Sequence, residues 1–427
     1  MEESTKNKFK IVSLGCRTNQ YESQAYHDQL VALGYTAAKD HEEADICIVN
    51  SCTVTESADS SSRHAIRQLA KENQGSKLLV TGCFAERQPQ AVQNIEGVTH
   101  VIANRDKDQL LAKLFPEGEL PEFSIKHFEA HTRAFVKVQD GCNSFCTYCI
   151  IPYVRGRSRS RTVKEIIQEV ETLVVNGYKE IVLTGINIGD FDGGVTNGES
   201  PVRLAELVRF IDRIPGVERL RLSSIDPDEV DEDLADAILN GANTCPSMHI
   251  VLQSGSNVIL KRMNRKYTRQ IFFETVDRLR AARSDFTFTT DIIVGFPGET
   301  DTDFSDTLEV MKQVKFAKVH MFPYSDRPRT RSVLMPNKVP QDLIKKRKQE
   351  VLRLAEQLSF DLRNEFLNRR MLVLTESRDA HHPLEMAGHT VNFLPVLIQD
   401  LDASLAPNQI VEVELKANTP RGLIGQI

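Results

Sequence analysis

Between residues 9 and 322, nine short apolar runs alternate with amphipathic helical patterns, and this alternation confines the chain to α/β folds built on parallel strands. Residues 9–14, 44–49 and 77–81 read as buried strands, with helical patterns over 21–33 and 57–72 between them, as in an open parallel sheet. Six further strand-like runs follow at 135–138, 180–183, 219–222, 249–252, 286–293 and 319–322. Helical patterns intervene near 163–175, 202–213, 231–240, 268–282 and 302–313. The first of these has a capping box in Thr162 and Glu165 and a C-terminal stop in Asn176-Gly177. Six βα units are fewer than the eight that close a full barrel, so an incomplete barrel is expected.

The pattern then changes. Residues 338–370 form one long helical pattern with nine Lys/Arg against five Asp/Glu, which reads as a linker helix with one charged face. Short β runs at 371–375, 391–398, 410–415 and 422–427, separated by turn residues, predict a small C-terminal β-barrel. The expected fold is therefore α/β in three parts: an open parallel sheet, an incomplete (βα)6 barrel, and a small β-barrel.

In parallel α/β sheets, ligands bind where the carboxyl ends of the strands share one edge. Cys16, Cys52 and Cys83 fall just past the ends of the first three predicted strands, so residues far apart in sequence converge on one edge. Cys142, Cys146 and Cys149 follow the fourth strand with the spacing C-x-x-x-C-x-x-C. Structural zinc and ordinary ferredoxin clusters take four protein ligands, whereas this loop offers three. Three thiolates point to an iron–sulfur cluster with one iron left open, and the known use of that vacancy by S-adenosylmethionine suggests radical chemistry. Zinc with a distant fourth ligand stays open as an alternative, as does simple packing for the strand-end cysteines. Cys47, inside a strand, and Cys245 read as small buried residues. The loops after later strands, 184–187, 223–226, 253–256 and 295–299, are polar or contain glycine and form a candidate ligand-binding mouth.

The net charge of −6 over 427 residues gives no global sign of nucleic-acid binding, so such a role rests on local patches. Arg155, Arg157, Arg159 and Arg161 put four arginines into seven residues, a pattern suited to phosphate or equally to a solvated charge run. From residue 371 onward, three Lys/Arg stand against seven Asp/Glu, so any RNA contact there falls to Lys416, Arg421 and the loop around His389-Thr390. His381 and His382 read as solvated turn residues. The opening residues contain no apolar signal stretch, and no run approaches the roughly 18 apolar residues of a membrane span. A cytoplasmic chain with reduced thiols and no membrane partner is expected.

Gly15-Cys16-Arg17-Thr18-Asn19, Asn50-Ser51-Cys52 and Thr81-Gly82-Cys83 resemble the N-terminal domain of the methylthiotransferases. The cysteine loop with its arginine run, Gln253–Ser256, Met263–Tyr267 and Asp291–Glu299 resemble the radical S-adenosylmethionine domain of that family, and the C-terminal segment resembles its TRAM module. The resemblance implies domains at 1–125, 128–365 and 366–427. It also implies two 4Fe-4S clusters. Cys142, Cys146 and Cys149 would hold the catalytic one, which binds and cleaves S-adenosylmethionine. Cys16, Cys52 and Cys83 would hold an auxiliary one carrying the sulfur to be inserted. Tyr148 would lie near the adenine, with Gly185, Ser223, Gln253 and Asp291 as further cofactor contacts. Asn19–Ser23, the arginine run and Gly388–Asn392 look most like the branch acting on threonylcarbamoyladenosine at position 37 of tRNA, beside the anticodon, at C2 of the base. Two other branches, acting on isopentenyladenosine in tRNA or on a ribosomal-protein aspartate, are the alternatives. Implied partners are a tRNA anticodon stem-loop, a low-potential electron donor such as flavodoxin or ferredoxin, and a sulfur donor. One departure is Arg329, where relatives usually carry a small residue; it casts doubt on the local turn or adds a phosphate contact.

Overall fold

The structure is a computed structural model that describes residues 7–128, 132–195, 200–379 and 381–427. The N-terminal sheet contains β1 (Lys8–Ser13), β2 (Thr36–Ala37), β3 (Ile46–Ser51), β4 (Lys77–Gly82) and β5 (Val98–Val101), all parallel in the order β2-β1-β3-β4-β5. Helices α1 (Arg17–Ala32), α2 (Glu56–Glu72), α3 (Cys83–Arg87) and α4 (Pro89–Gln93) connect them. The stretches Ile46–Val49 of β3 and Leu78–Val80 of β4 are apolar without interruption because both faces are covered. Cys47, Val49, Leu78 and Val80 pack on the α2–α3 side, while Ile46, Ile48 and Leu79 pack on the α1 side with Tyr26 and Leu30. The three expected strands lie within two residues of their predicted ends. Strands β2 and β5 went unforeseen because they are short and partly exposed.

The central unit holds β6 (Arg133–Lys137), β7 (Gln139–Asp140), β8 (Arg159–Ser160), β9 (Glu180–Thr184), β10 (Arg219–Leu222), β11 (Ser247–His249), β12 (Thr287–Val294) and β13 (Lys318–Pro323). Its parallel strands form two three-stranded sheets, β10-β9-β6 and β11-β12-β13, joined edge to edge by single bridges at Leu220–Thr244 and Ile225–Ile250. Six parallel strands thus make an open barrel. Helices α5 (Ile151–Val154), α6 (Val163–Val175), α7 (Leu204–Asp212), α8 (Glu232–Asn240), α9 (Asn257–Arg262), α10 (Arg269–Ala282) and α11 (Asp301–Val314) accompany it. The Thr162–Glu165 capping box starts α6 as expected, and Gly177 follows it at φ +92°. The fourth barrel strand departs from expectation: its regular part is 247–249, and residues 250–253 run on with single bridges to Ile225 and Ile292.

Helix α12 (Gln341–Asn364) leads to a closed five-stranded barrel of β14 (Arg370–Asp379), β15 (His382–Thr390), β16 (Pro395–Gln399), β17 (Ile410–Thr419) and β18 (Gly422–Gln426). The expected strand 391–398 is interrupted by a turn, with Phe393 at φ +66°, and β15 replaces the polar turn expected at His382. This barrel closes the floor of the central one. Arg219 donates to the Leu372 and His389 carbonyls at 2.8 and 3.1 Å, and Asn392 donates to the Asp285 carbonyl at 3.0 Å. The strand ends that carry the cysteines are left at the opposite end. No helix among the described residues is long and apolar enough to cross a membrane.

Candidate functional site

Cys16, Cys52 and Cys83 sit at the carboxyl edge of the first sheet because a tight turn follows β1, β3 and β4 in turn. Gly15 (φ +94°) and Gly82 (φ +92°) precede two of them, and both positions demand glycine. A Cβ on Gly15 would meet Cys52 Sγ at 2.7 Å, and one on Gly82 would meet the Ser51 backbone at 2.4 Å. The first contact brings the Cys16 turn directly against Cys52. Burial pushes the Cys52 thiol up to about 11 and raises Cys83, with the neighbouring cysteines of the set adding to both. Their deprotonation is therefore coupled to metal binding.

The second set lies on a loop pinned by a motif whose role the sequence did not reveal, Met263–Tyr267. Thr147 donates its amide to the Met263 carbonyl at 2.9 Å, and Asn264 donates to the Ser144 and Phe145 carbonyls at 3.3 Å each. Arg265 donates to Cys146 Sγ at 3.0 Å and pairs with Asp226, placing a cation beside a candidate thiolate. Burial, then Cys146, pushes the Cys149 thiol up.

The two sets adjoin each other. Cys83 shares a small apolar cluster with Ile150 and Val154, the residues that follow Cys149. Asn104 Nδ2 donates to the Val154 carbonyl at 2.7 Å and approaches Cys83 Sγ at 4.0 Å. Beneath this contact lies a wholly buried ionic network. Glu22 accepts from Lys107 at 2.6 Å, Arg155 at 3.1 Å and Lys137 at 3.5 Å, while Asp140 accepts from Arg155 at 2.8 Å and pairs with Lys107. Among the wholly buried members, three cations against two carboxylates leave one surplus positive charge, and half-exposed Arg159 adds a further pair to Asp140 at 3.3 Å. Burial alone would raise the Glu22 carboxyl, but Arg155, Lys107 and Lys137 together hold it far below the usual carboxylate range.

This network corrects one expectation. The arginine run is not an open phosphate patch, because Arg155 is fully buried and Arg161 pairs with Glu169 at 2.6 Å. Only part of the run faces outward. Exposed Arg157 lies 4.4 Å over the Phe145 ring, Phe145 meets Tyr153 edge-on at 6.1 Å, and exposed Arg329 lies 5.2 Å over Tyr153. Arg329 adopts φ +76°, so the turn keeps its left-handed backbone without glycine while the guanidinium extends this ladder. In the C-terminal barrel, Thr390 is buried, His389 pairs with Glu376, and Lys416 and Arg421 pair with Glu414 and Glu385. The anticipated loop at His389-Thr390 therefore faces the central barrel rather than an RNA.

A cavity of about 150 Å³ opens between the sets, lined by Val54 and Thr55 from the first unit and by Tyr148, Gln253, Asp291 and Tyr324 among others from the second. It gathers three of the five anticipated cofactor contacts. The Tyr148 ring meets Phe296 edge-on, and the Gln253 Oε1 is buried without a hydrogen-bond partner. Gly185 and Ser223 are not among its lining residues. Gly185 packs against Gln139, and the buried Ser223 hydroxyl is unpartnered. Unsatisfied acceptors and hydroxyls at a buried mouth are what a polar nucleoside ligand would complete, so the residues present fit S-adenosylmethionine. Glu229, unremarked in the sequence, lies behind this mouth; burial and then Asp226 raise it to about 7. Among the described residues, no three His, Cys, Asp or Glu side chains converge to hold a metal ion. A cluster asks less convergence of its ligands, because each thiolate binds a different iron. Cys47 and Cys245 are buried and belong to neither set.

Known proteins resemble this chain over its whole length. The Radical SAM superfamily matches residues 136–311, and an uncharacterised protein family, UPF0004, matches residues 8–103. A threonylcarbamoyladenosine tRNA methylthiotransferase MtaB from Chlamydia pneumoniae is 46% identical, covering 99% of this chain and 98% of its own length. The MtaB of Bacillus subtilis is 34% identical, with 96% and 94% covered. Among solved structures, the radical S-adenosylmethionine methyltransferase TsrM from Kitasatospora setae superimposes with a TM-score of 0.55 at 14% identity, covering 74% of this chain and 73% of that one. That likeness concerns the fold alone.

Proposed function

This chain belongs to the threonylcarbamoyladenosine tRNA methylthiotransferases, a family of radical S-adenosylmethionine enzymes, and from that premise we propose how its residues divide the work. The reaction replaces the hydrogen on C2 of N6-threonylcarbamoyladenosine, at position 37 of tRNA, with a methylthio group. When bound, the two 4Fe-4S clusters and S-adenosylmethionine supply the electron, the radical and the sulfur. Cys142, Cys146 and Cys149 hold the first cluster, and Cys16, Cys52 and Cys83 hold the auxiliary one. Tyr148, Gln253 and Asp291 orient the S-adenosylmethionine, with Ser223 and Gly185 shaping the rim. Arg265 offsets negative charge at Cys146, and the surplus cation of the buried network does so for Cys16 and Cys83.

The observation that carries this reading is the abutment of the two cysteine sets through Cys83, Ile150 and Val154, with one cavity between their units. A single base placed at the mouth of that cavity, beside the bound S-adenosylmethionine, would face both. The Arg157–Phe145–Tyr153–Arg329 ladder beside the cysteine loop supports an RNA acceptor, because it alternates stacking faces with phosphate-binding cations. On this reading the parts are 1–125 for the auxiliary cluster, 128–365 for radical generation and 366–427 as a β-barrel brace. A cytoplasmic setting, a low-potential donor such as flavodoxin or ferredoxin, and a separate sulfur donor complete it. Mass spectrometry of tRNA nucleosides from cells lacking the gene tests the assignment. Loss of 2-methylthio-N6-threonylcarbamoyladenosine is expected, and its unchanged presence would overturn the choice of acceptor.

A further inference from the structure

Three arginines reach a small recess of about 30 Å³ inside the central barrel, and two of them are already committed. Arg133 pairs with Glu376 at 3.0 Å, and Arg221 pairs with Glu180 at 2.7 Å. Arg17 differs. Its guanidinium lies 5.3 Å over the Phe135 ring, and among the described residues it makes neither a hydrogen bond nor an ion pair. Charges of both signs surround this half-buried guanidinium, Arg133 and Arg221 against Glu180 and Asp291, yet none of its N–H donors is used by another group among the described residues, which leaves them free for a ligand. The same recess is walled by His249 and Thr289, and His249 Nε2 lies 3.3 Å from Asp291, a residue of the S-adenosylmethionine cavity. Arg17 directly follows Cys16, so its backbone lies at the edge where the sulfur is to be delivered while its side chain reaches down into the barrel toward Phe393.

We infer that Arg17 is a specificity determinant that takes the carboxylate of the substrate's threonylcarbamoyl arm. The inference rests on the acceptor assigned above and extends it to one residue. The chemistry of the base supports the match. On adenine, C2 and the N6 substituent flank N1 on the same Watson–Crick edge. An arm on N6 that ends in an amino-acid carboxylate therefore brings its negative charge within a few ångströms of the carbon that reacts. A site that presents C2 to the auxiliary cysteines brings that carboxylate toward the residue beside Cys16. The planar guanidinium fork suits bidentate capture of a carboxylate. An apolar arm would cover the same guanidinium without supplying an anion, which gives selection against the wrong acceptor as well as for the right one.

The test uses reconstituted holoenzyme and two anticodon stem-loop RNAs that differ only in the arm: one with the free carboxylate, the other with its methyl ester. Affinity is read by fluorescence anisotropy, and KM and kcat by methylthio product. The wild-type protein is expected to prefer the free acid by roughly 10- to 100-fold in Kd and KM. Arg17→Met should erase that preference, and Arg17→Lys should retain much of it. Iron content is measured for each protein because Arg17 adjoins Cys16. If Arg17→Met loses iron, the wild-type acid-to-ester ratio and Arg17→Lys decide the matter. Equal affinity of wild type for acid and ester overturns the inference. So does an equal loss on both RNAs in a fully loaded Arg17→Met, which would indicate a phosphate contact. A wild-type protein that produces no methylthio product from either RNA would instead overturn the acceptor assignment itself.

Discussion

Replacing Glu22 by Gln isolates the buried ionic network, because the amide keeps the size of the side chain and removes only its charge. Glu22 is fully buried and accepts from three cations within 3.5 Å, as well as from Asn50 Nδ2 at 3.1 Å. With Glu22 neutral, Lys107, Lys137 and Arg155 face Asp140 alone, and the surplus buried charge rises from one to two. Breaking a buried pair while its partners stay charged costs about 3–5 kcal/mol. The exposed capping-box residue Glu165 offers a control: Glu165→Gln should cost about 1 kcal/mol or less. The chain has several units, so a single melting temperature would blur the effect. Hydrogen exchange resolved by peptide reads the opening of α1 and β3 directly. Acidification gives a second reading. The folded-state pKa of Glu22 is depressed, so its stabilisation is present above the unfolded value of about 4.3 and is lost as pH falls toward the folded one. Wild type should therefore lose protection of α1 below about pH 4 more steeply than Glu22→Gln does. Protection of α1 in Glu22→Gln within about 1 kcal/mol of wild type at pH 7 would refute the argument that this network holds the helix.

Two further predictions follow from the site. Cys146→Ala should reduce reductive cleavage of S-adenosylmethionine to background, whereas Cys52→Ala should keep most of it, lose about half of the iron and form no methylthio product; identical behaviour of the two variants would defeat the division of labour. Glu229 has a folded pKa raised to about 7, so folding favours its protonated form, and this contribution fades as pH rises from the unfolded value of about 4.3 through 7. Denaturant titrations across pH 5–8 should show a slope in the wild type that Glu229→Gln flattens, and parallel slopes would count against a buried acid at this position.

The strand-end cysteines were legible in the sequence because parallel sheets place every carboxyl end on one edge, and Gly15 and Gly82 already marked tight turns there. The capping box of α6 was legible because it is wholly local. What escaped the sequence depended on partners far along the chain. Arg155 looks like one member of a solvated run, and only Glu22, 133 residues earlier, makes it a buried strut. The strand His382–Thr390 begins with polar residues that mimic a turn, and pairing with β14 and β16 overrides that local preference. Gly185 was read correctly as a loop glycine, but whether it meets ligand or Gln139 depends on how the loop folds over its neighbour.

The shared apolar contact at Cys83 and the ion pairs Glu22–Arg155 and Lys107–Asp140 tie the two cysteine-bearing units together across the gap between them. Hinge-like opening of that gap would expose several uncompensated charges at once, which makes it the costly way to admit a nucleotide. The conformational work then passes to the RNA. The nucleoside beside the anticodon has to leave its stacked position and swing alone into a slot of fixed width, at a few kcal/mol for unstacking. The rigid protein thus acts as a gauge that accepts one extruded base, and loops that surrender that base most easily should be its fastest substrates.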